Sequence, residues 1–160
     1  MLPSILVLLL SLLAGGLQIG MALSLQDKLF ADVSTACPNG AATTYQTAID
    51  LQIAASSLND FQPDYLQVEI VVPTFTTSQL GDTQTIIVSL LTSDTSDLSS
   101  GSPTTLAVFP TFTGASGAGA AGATYYVRLP TTCKKYLGVK VVKTGASNAS
   151  TANITTKLKF

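Results

Sequence analysis

The chain has 160 residues, with 8 Lys and Arg, 9 Asp and Glu and no His, which gives a net charge of −1. This length suits one domain of ordinary size. A balanced charge without a basic run argues against nucleic acid as a partner. A hydrophobic fraction of 46% argues against a disordered chain. The absence of His disfavours an enzyme, because most proton-transfer and zinc chemistry depends on that residue.

The polar residues mainly carry hydroxyl groups. The chain contains 22 Thr and 16 Ser, but no Trp and only two Met. Thr is β-branched and favours strands, whereas residues typical of helices are scarce among the polar positions. The composition therefore predicts an all-β fold.

Residues 1–20 differ in character from the rest of the chain. Residues 2–13 (LPSILVLLLSLL) are almost wholly apolar, but the run is too short for a comfortable membrane span. Three interpretations stay open: Met21 is the true start, the run is a signal peptide without the usual basic residues before it, or it is a retained anchor. In each case we expect one β-sandwich domain over residues 21–160. We expect the mature protein to begin at Met21 or Ala22.

The elements follow in chain order. Residues 24–30 predict at most one short helix, with Ser24 as its N-cap. Strands are predicted over residues 43–51, 65–72, 85–91, 105–109, 125–129, 136–142 and 153–160. The glycine-rich stretch 114–122 is predicted to be a mobile surface loop with nothing to bury. Seven or eight strands predict a two-sheet antiparallel sandwich, and periodicity alone does not separate immunoglobulin-like from jelly-roll connectivity.

Alternation along the strands predicts which side chains face the core. The closing strand is the most regular, and the segment 85–91 is apolar on both faces. A strand of that kind is either covered on both sides or placed at a subunit contact. In the last predicted strand, 153–160, the side chains predicted to point inward are Ile154, Thr156, Leu158 and Phe160. In the predicted strand 125–129 they are Tyr125, Val127 and Leu129.

Charge is distributed unevenly along the chain. All nine acids lie within residues 27–97, and seven of the eight bases lie within residues 128–159. The molecule could therefore present two electrically distinct faces. Alternatively, antiparallel strands from the two halves interleave and cancel the asymmetry.

No pattern of catalytic or ligand-binding residues stands out. Asp82, Asp94 and Asp97 lack the spacing of a calcium loop, and we expect them to bond within their own loops. A Ser-His-Asp relay is excluded without His, and no Lys follows the glycines of residues 114–122. The sequence therefore predicts no catalytic residue, no metal site and no cofactor.

One basic cluster has an aromatic neighbour. It consists of Arg128, Lys134, Lys135 and Tyr136, which are the candidate interface residues of the chain. These residues either contact acidic groups on a partner or form a solvated surface.

Several short segments follow one another in a characteristic order. They are residues 26–30 (QDKLF), 49–51 (IDL), the strand 66–72, 88–94 (VSLLTSD), 126–130 (YVRLP), 135–139 (KYLGV) and the alternating last strand. This order resembles the small capsid-stabilising (cement or decoration) proteins of tailed bacteriophages, and the resemblance covers most of residues 22–160.

This resemblance implies a jelly-roll structural protein of the virion without enzymatic activity. Such a protein assembles in the host cytoplasm, sits on the capsid exterior and ties neighbouring capsomers together. Its expected partners are the major capsid protein and further copies of itself, with no nucleic acid and no membrane for the mature domain. Arg128, Lys134, Lys135 and Tyr136 are then the candidate capsid contacts.

A second class of protein remains open from the residues alone. It is a secreted or surface-attached β-sandwich binding module, exported by residues 1–22 and held together by a Cys37–Cys133 disulfide. If the protein stays inside the cell, the two cysteines are instead expected to be small buried hydrophobic residues.

Overall fold

Short threonine-rich and alternating segments form ten β-strands in the computed structural model, which describes residues 32–51 and 66–159. These residues contain no helix, and the helix predicted over 24–30, the apolar segment 1–20 and Phe160 lie outside them. The strands are β1 (Asp32–Ala36), β2 (Ala42–Tyr45), β3 (Ile49–Asp50), β4 (Gln67–Val72), β5 (Thr85–Ser93), β6 (Thr104–Val108), β7 (Phe112–Thr113), β8 (Ala123–Arg128), β9 (Tyr136–Lys143) and β10 (Asn153–Lys159).

The strands form two antiparallel sheets that pack face to face. One sheet has the order β1-β10-β4-β8, and the other has the order β2-β9-β5-β6, with β3 on β9 and β7 on β5. The predicted all-β, two-sheet antiparallel sandwich is therefore confirmed. The chain crosses between the sheets after β1, β3, β4, β7, β8 and β9. This order is compatible with a jelly roll.

Alternating side chains from both sheets fill the space between them. The largest fully buried ones include Ile70 on β4, Leu90 on β5, Leu137 on β9 and Ile154 on β10. These strands occupy the middle of their sheets, so one face of each packs on the opposite sheet. Alternation on β10 and β8 agrees with the prediction within the described residues.

The predicted strand over residues 43–51 is interrupted at Gln46. This buried side chain donates from Nε2 to the Val33 carbonyl (2.8 Å) and accepts at Oε1 from the Val139 amide (3.3 Å). Val33 and Val139 belong to different sheets. The side-chain amide thus links the two sheets at the place where the strand breaks.

The glycine-rich stretch 114–122 packs closely on the preceding β4–β5 connection. Phe75 and Ala120 exchange two backbone hydrogen bonds (2.8 and 3.1 Å), and the Gly117 amide donates to Asp82 Oδ1 (2.9 Å). The prediction that this surface loop has nothing to bury is therefore wrong for Gly114 and Gly119, which are buried, while residues 115–118 are exposed as expected of a surface loop. Because the glycines lack side chains, their backbone comes close to the backbone of the β4–β5 connection and forms hydrogen bonds with it.

One buried hydroxyl in the core has no hydrogen-bond partner among the described residues. Thr156 on β10 is fully buried, and its Oγ1 is unsatisfied. Removing such a group removes a desolvation penalty of about 1–3 kcal/mol. We expect Thr156→Val to raise the free energy of unfolding by roughly 1 kcal/mol, measured by denaturant titration.

The same substitution at Thr92 is a matched control, because it is expected to lower the free energy of unfolding. Thr92 is equally buried, but its Oγ1 accepts from the Lys134 amide (2.7 Å) and donates to the Tyr136 carbonyl (3.1 Å). Thr92→Val leaves both backbone groups without this partner and is expected to destabilise the protein. A loss of stability in Thr156→Val would contradict the prediction.

Candidate interaction surface

The predicted basic cluster lies at one end of the sandwich. Arg128 ends β8, while Lys134 and Lys135 immediately precede Tyr136, the first residue of β9. The bend between the two strands is held by the Lys134 amide, which donates to Thr92 Oγ1 at the end of β5 (2.7 Å). The structure therefore brings all four candidate residues to the same end of the fold.

Both lysines of the cluster form ion pairs within the chain. Lys134 Nζ lies 2.6 Å from Asp94 Oδ2, and Lys135 Nζ lies 3.8 Å from Asp50 Oδ2. Lys135 Nζ also lies 5.1 Å from the centre of the Tyr136 ring. A side-chain hydrogen bond with Tyr136, followed by attraction to the Asp50 carboxylate, raises the pKa of Lys135. These lysines are therefore already partnered.

Arg128 is placed differently from the two lysines. It lies opposite Gln67 at the end of an outer strand, and its side chain is exposed. Among the described residues, no ion pair includes Arg128. Of the predicted candidates, it is the charge best placed to contact an external acidic group.

The uneven charge along the chain largely cancels in space. Each ion pair between described residues joins an acid from segment 27–97 with a base from segment 128–159. The pairs are Asp32–Lys157, Asp50–Lys135, Glu69–Lys159 and Asp94–Lys134. These contacts support the interpretation in which interleaved strands cancel the asymmetry.

The aspartates considered for calcium serve separate loops. The Asp97 carboxylate accepts hydrogen bonds from the backbone amides and hydroxyls of Ser99 and Ser100, which hold its pKa well below the usual range. Asp82 accepts from the Gly117 amide, and Asp94 pairs with Lys134. The expected bonding within loops is confirmed for Asp97. Over residues 32–51 and 66–159, no group of three or more potential metal ligands is present.

The two thiols are free and lie at opposite ends of the sandwich. Cys37 follows β1 and donates its amide to the Ala152 carbonyl just before β10 (2.8 Å), whereas Cys133 precedes β9 and contacts Thr92. Strand β9 separates these two ends, which corresponds to a length of roughly 25 Å. A disulfide requires Cα atoms within about 7 Å, so the proposed Cys37–Cys133 bond is incompatible with this fold.

Both thiols are buried in the folded protein. Desolvation raises the pKa of Cys37 to about 11, and desolvation also raises the pKa of Cys133. We expect neither to react with Ellman's reagent at neutral pH until the protein is unfolded, when both should react. Failure to detect any thiol after unfolding would instead support the disulfide-bonded secreted module.

The outer face of β5 is covered at one end only. Leu91 is buried there, and Leu98 from the following loop packs over Gly138, the residue paired with Leu91. A Cβ atom at Gly138 would lie 2.5 Å from Leu98 Cδ1, so the glycine makes room for this cover. The interpretation that segment 85–91 is covered on both sides is therefore supported at this end, while Ile87 is only partly buried.

Two large apolar side chains stand out on the surface that the structure describes. Val108 at the end of β6 is 64% exposed, and Tyr126 on β8 is 62% exposed. Behind them, Phe109 stacks on Tyr125 with ring centres 4.7 Å apart, which joins the β6 and β8 edges. Alternation along the sequence predicted that Tyr126 points outward, but no sequence pattern singled out Val108.

The chain matches no family model, and a search of curated proteins finds no match. No helix long and apolar enough to cross a membrane occurs in the part of the chain that the structure describes.

Proposed function

We propose that this protein binds the outside of a tailed-phage capsid and stabilises contacts between capsomers. In this proposal the sandwich is a jelly roll, the principal partner is the major capsid protein, and the chain has no enzymatic role. The observation that carries the proposal is the strand order β1-β10-β4-β8 and β2-β9-β5-β6. That order is compatible with the fold implied by the resemblance of the sequence segments.

The surface chemistry also supports a structural role. Most of the acids and bases that the structure describes neutralise each other, which leaves hydroxyl-bearing and apolar side chains to contact a partner. Such contacts are individually weak. Many copies on a lattice, each touching more than one capsomer, strengthen attachment by about 10²–10⁴ through effective concentration.

The direct test compares particles assembled with and without this protein. We expect mass spectrometry to find it on purified particles. We also expect shells that lack it to assemble normally but to release DNA at a lower temperature. Particles that are equally robust without the protein, or particles that never carry it, would refute the proposal.

Arg128 is the residue whose charge should influence attachment most clearly. Arg128→Glu is expected to weaken binding to capsids by a factor of roughly 1.4 to 5 per site at low salt, since an exposed ion pair contributes about 0.2–1 kcal/mol. The effect should shrink at high salt, because the Debye length falls to about 3 Å at 1 M. Co-sedimentation with capsids at several salt concentrations measures both changes.

The lysines require a different design. Lys134→Glu or Lys135→Glu should also weaken attachment, but each would place two carboxylates side by side within the chain. A double exchange, Lys134→Glu with Asp94→Lys, keeps an ion pair and the net charge, so it serves as the charge-neutral control beside Arg128→Glu. Equal attachment of Arg128→Glu and the parent protein at low salt would contradict the role given to Arg128.

A further inference from the structure

The outer edge of β8 is a regular strand edge without a described partner. Its register with β4 runs without interruption from Gln67↔Arg128 to Val72↔Ala123. Among residues 32–51 and 66–159, no strand pairs with its other side. The strand contains no Gly or Pro, and its one charge is at its last position.

The other outer strands carry features that discourage pairing. Strand β1 has the Asp32–Lys157 ion pair at one end, and β2 is short and interrupted at Gln46. Strand β6 lies between Pro103 and Pro110 and has a register shift against β5. Monomeric β proteins protect their edges with charges, prolines and bulges of this kind. Strand β8 contains no proline, no register shift and no described ion pair, and its one charge, Arg128, stands at its end.

Apolar surface accompanies this open edge. Tyr126 points outward and is largely exposed, while the inward-facing Tyr125 and Val127 are only partly buried. The corresponding side chains Val68 and Ile70 on the neighbouring strand β4 are fully buried. A strand added beside β8 would therefore cover apolar surface as well as satisfy backbone groups.

We propose that β8 pairs with β8 of a second copy of this chain, antiparallel and around a two-fold axis at Tyr126. In this register Tyr126 faces its own counterpart, and Thr124 faces Arg128 of the other copy. Directly opposed aromatic residues stabilise antiparallel strands. The two sheets would then join into one continuous sheet across the dimer.

The charges of the strand allow this register. The two Arg128 side chains would be four residues apart along the pair, or about 14 Å, because antiparallel strands rise about 3.4 Å per residue. That separation exceeds the Debye length of about 8 Å at physiological ionic strength, so their repulsion is largely screened. No carboxylate lies on β8 to demand a basic partner.

A second copy is the occupant that the strand itself fits, because in this register its uncharged residues face one another and its single charge, Arg128, faces the uncharged Thr124. An unprotected edge that bound a different partner would still be open in every unbound molecule and would promote open-ended association. Two-fold pairing uses the same strand of both copies and closes the assembly. Self-association in solution does not depend on capsid binding, so its failure would leave the proposed function intact.

The test measures the mass of the full chain in solution by sedimentation and by light scattering after size-exclusion chromatography. We expect a dimer for the parent protein. Tyr126→Lys and Tyr126→Glu each place like charges opposite one another across the axis, so we expect at least a tenfold increase in the dimer dissociation constant. Mixing the two variants pairs Lys with Glu and should restore a dimer that contains one of each.

The control is Val108→Lys, which adds the same charge at an equally exposed apolar residue on β6. This variant should remain dimeric, and all variants should retain the melting behaviour of a folded sandwich. A parent protein that is monomeric or trimeric would overturn the proposal. It would also be overturned if Tyr126→Lys stayed as dimeric as the parent, if Val108→Lys dissociated equally, or if the mixture did not form the mixed dimer.

Discussion

Removal of residues 153–160 is expected to abolish cooperative folding. Strand β10 lies between β1 and β4, so its loss leaves β1 without its partner and leaves β4 paired with β8 alone. It also removes Ile154 and Leu158 from the core, each worth roughly 1.5–3 kcal/mol. A domain of this size has about 5–15 kcal/mol of total stability, so these two side chains alone remove a large part of it, and the lost pairing of β10 with β1 and β4 adds to that loss.

Thermal unfolding followed by circular dichroism measures the effect. A chain ending at Ala152 should show no cooperative transition. If it melts like the full-length protein, the central position of β10 is wrong.

Two point substitutions on β10 compare the stability lost at a core-facing residue with that lost at a solvent-facing residue. Ile154→Ala creates a cavity at a fully buried position and is expected to lose about 2–5 kcal/mol. Lys157→Ala removes only an exposed ion pair with Asp32 (3.1 Å) and should change stability by no more than about 0.5 kcal/mol. Equal losses from the two substitutions would show that the strand does not alternate between core and solvent.

Sequence pattern predicted the long strands of the sandwich well. Strands β4 and β10 have buried side chains at every second position, and this period is visible without any knowledge of their partners, whereas β5 was predicted from a run that is apolar on both faces. Strands β1 and β7 were not predicted. Strand β1 has five residues and pairs with β10, and β7 has two residues and pairs with β5. Each is a strand because of this pairing, which the local sequence does not indicate.

The candidate surface was predictable in part. Local clustering of Lys134 and Lys135 identified a basic group, and the structure places that group together at one end of the sandwich. The acids that neutralise it were not predictable, because Asp94 precedes Lys134 by 40 residues and meets it only through the pairing of β5 with β9. Contacts that depend on strand register require the tertiary fold.

The composition of the glycine-rich stretch 114–122 did not indicate its close packing. Gly119 is the residue at which this packing can be tested. Its φ is +74°, and a Cβ atom there would lie 2.0 Å from the carbonyl oxygen of Phe75. That oxygen accepts the hydrogen bond from the Ala120 amide, so the backbone has no room to withdraw without breaking the pairing. A low-complexity sequence therefore contributes a tightly packed part of the fold.

Gly119→Ala is expected to destabilise the protein by roughly 2–5 kcal/mol. A left-handed conformation costs an L-residue about 1–2 kcal/mol, and overpacking adds about 1–3 kcal/mol. Gly117→Ala separates the two contributions, because Gly117 has a similar φ of +66° but a Cβ atom there would meet no other atom within 4 Å. It should lose only the conformational part, which denaturant titration of both variants would resolve. Equal losses at the two glycines would mean that Gly119 does not pack against Phe75, and the free loop predicted from composition would be the better description.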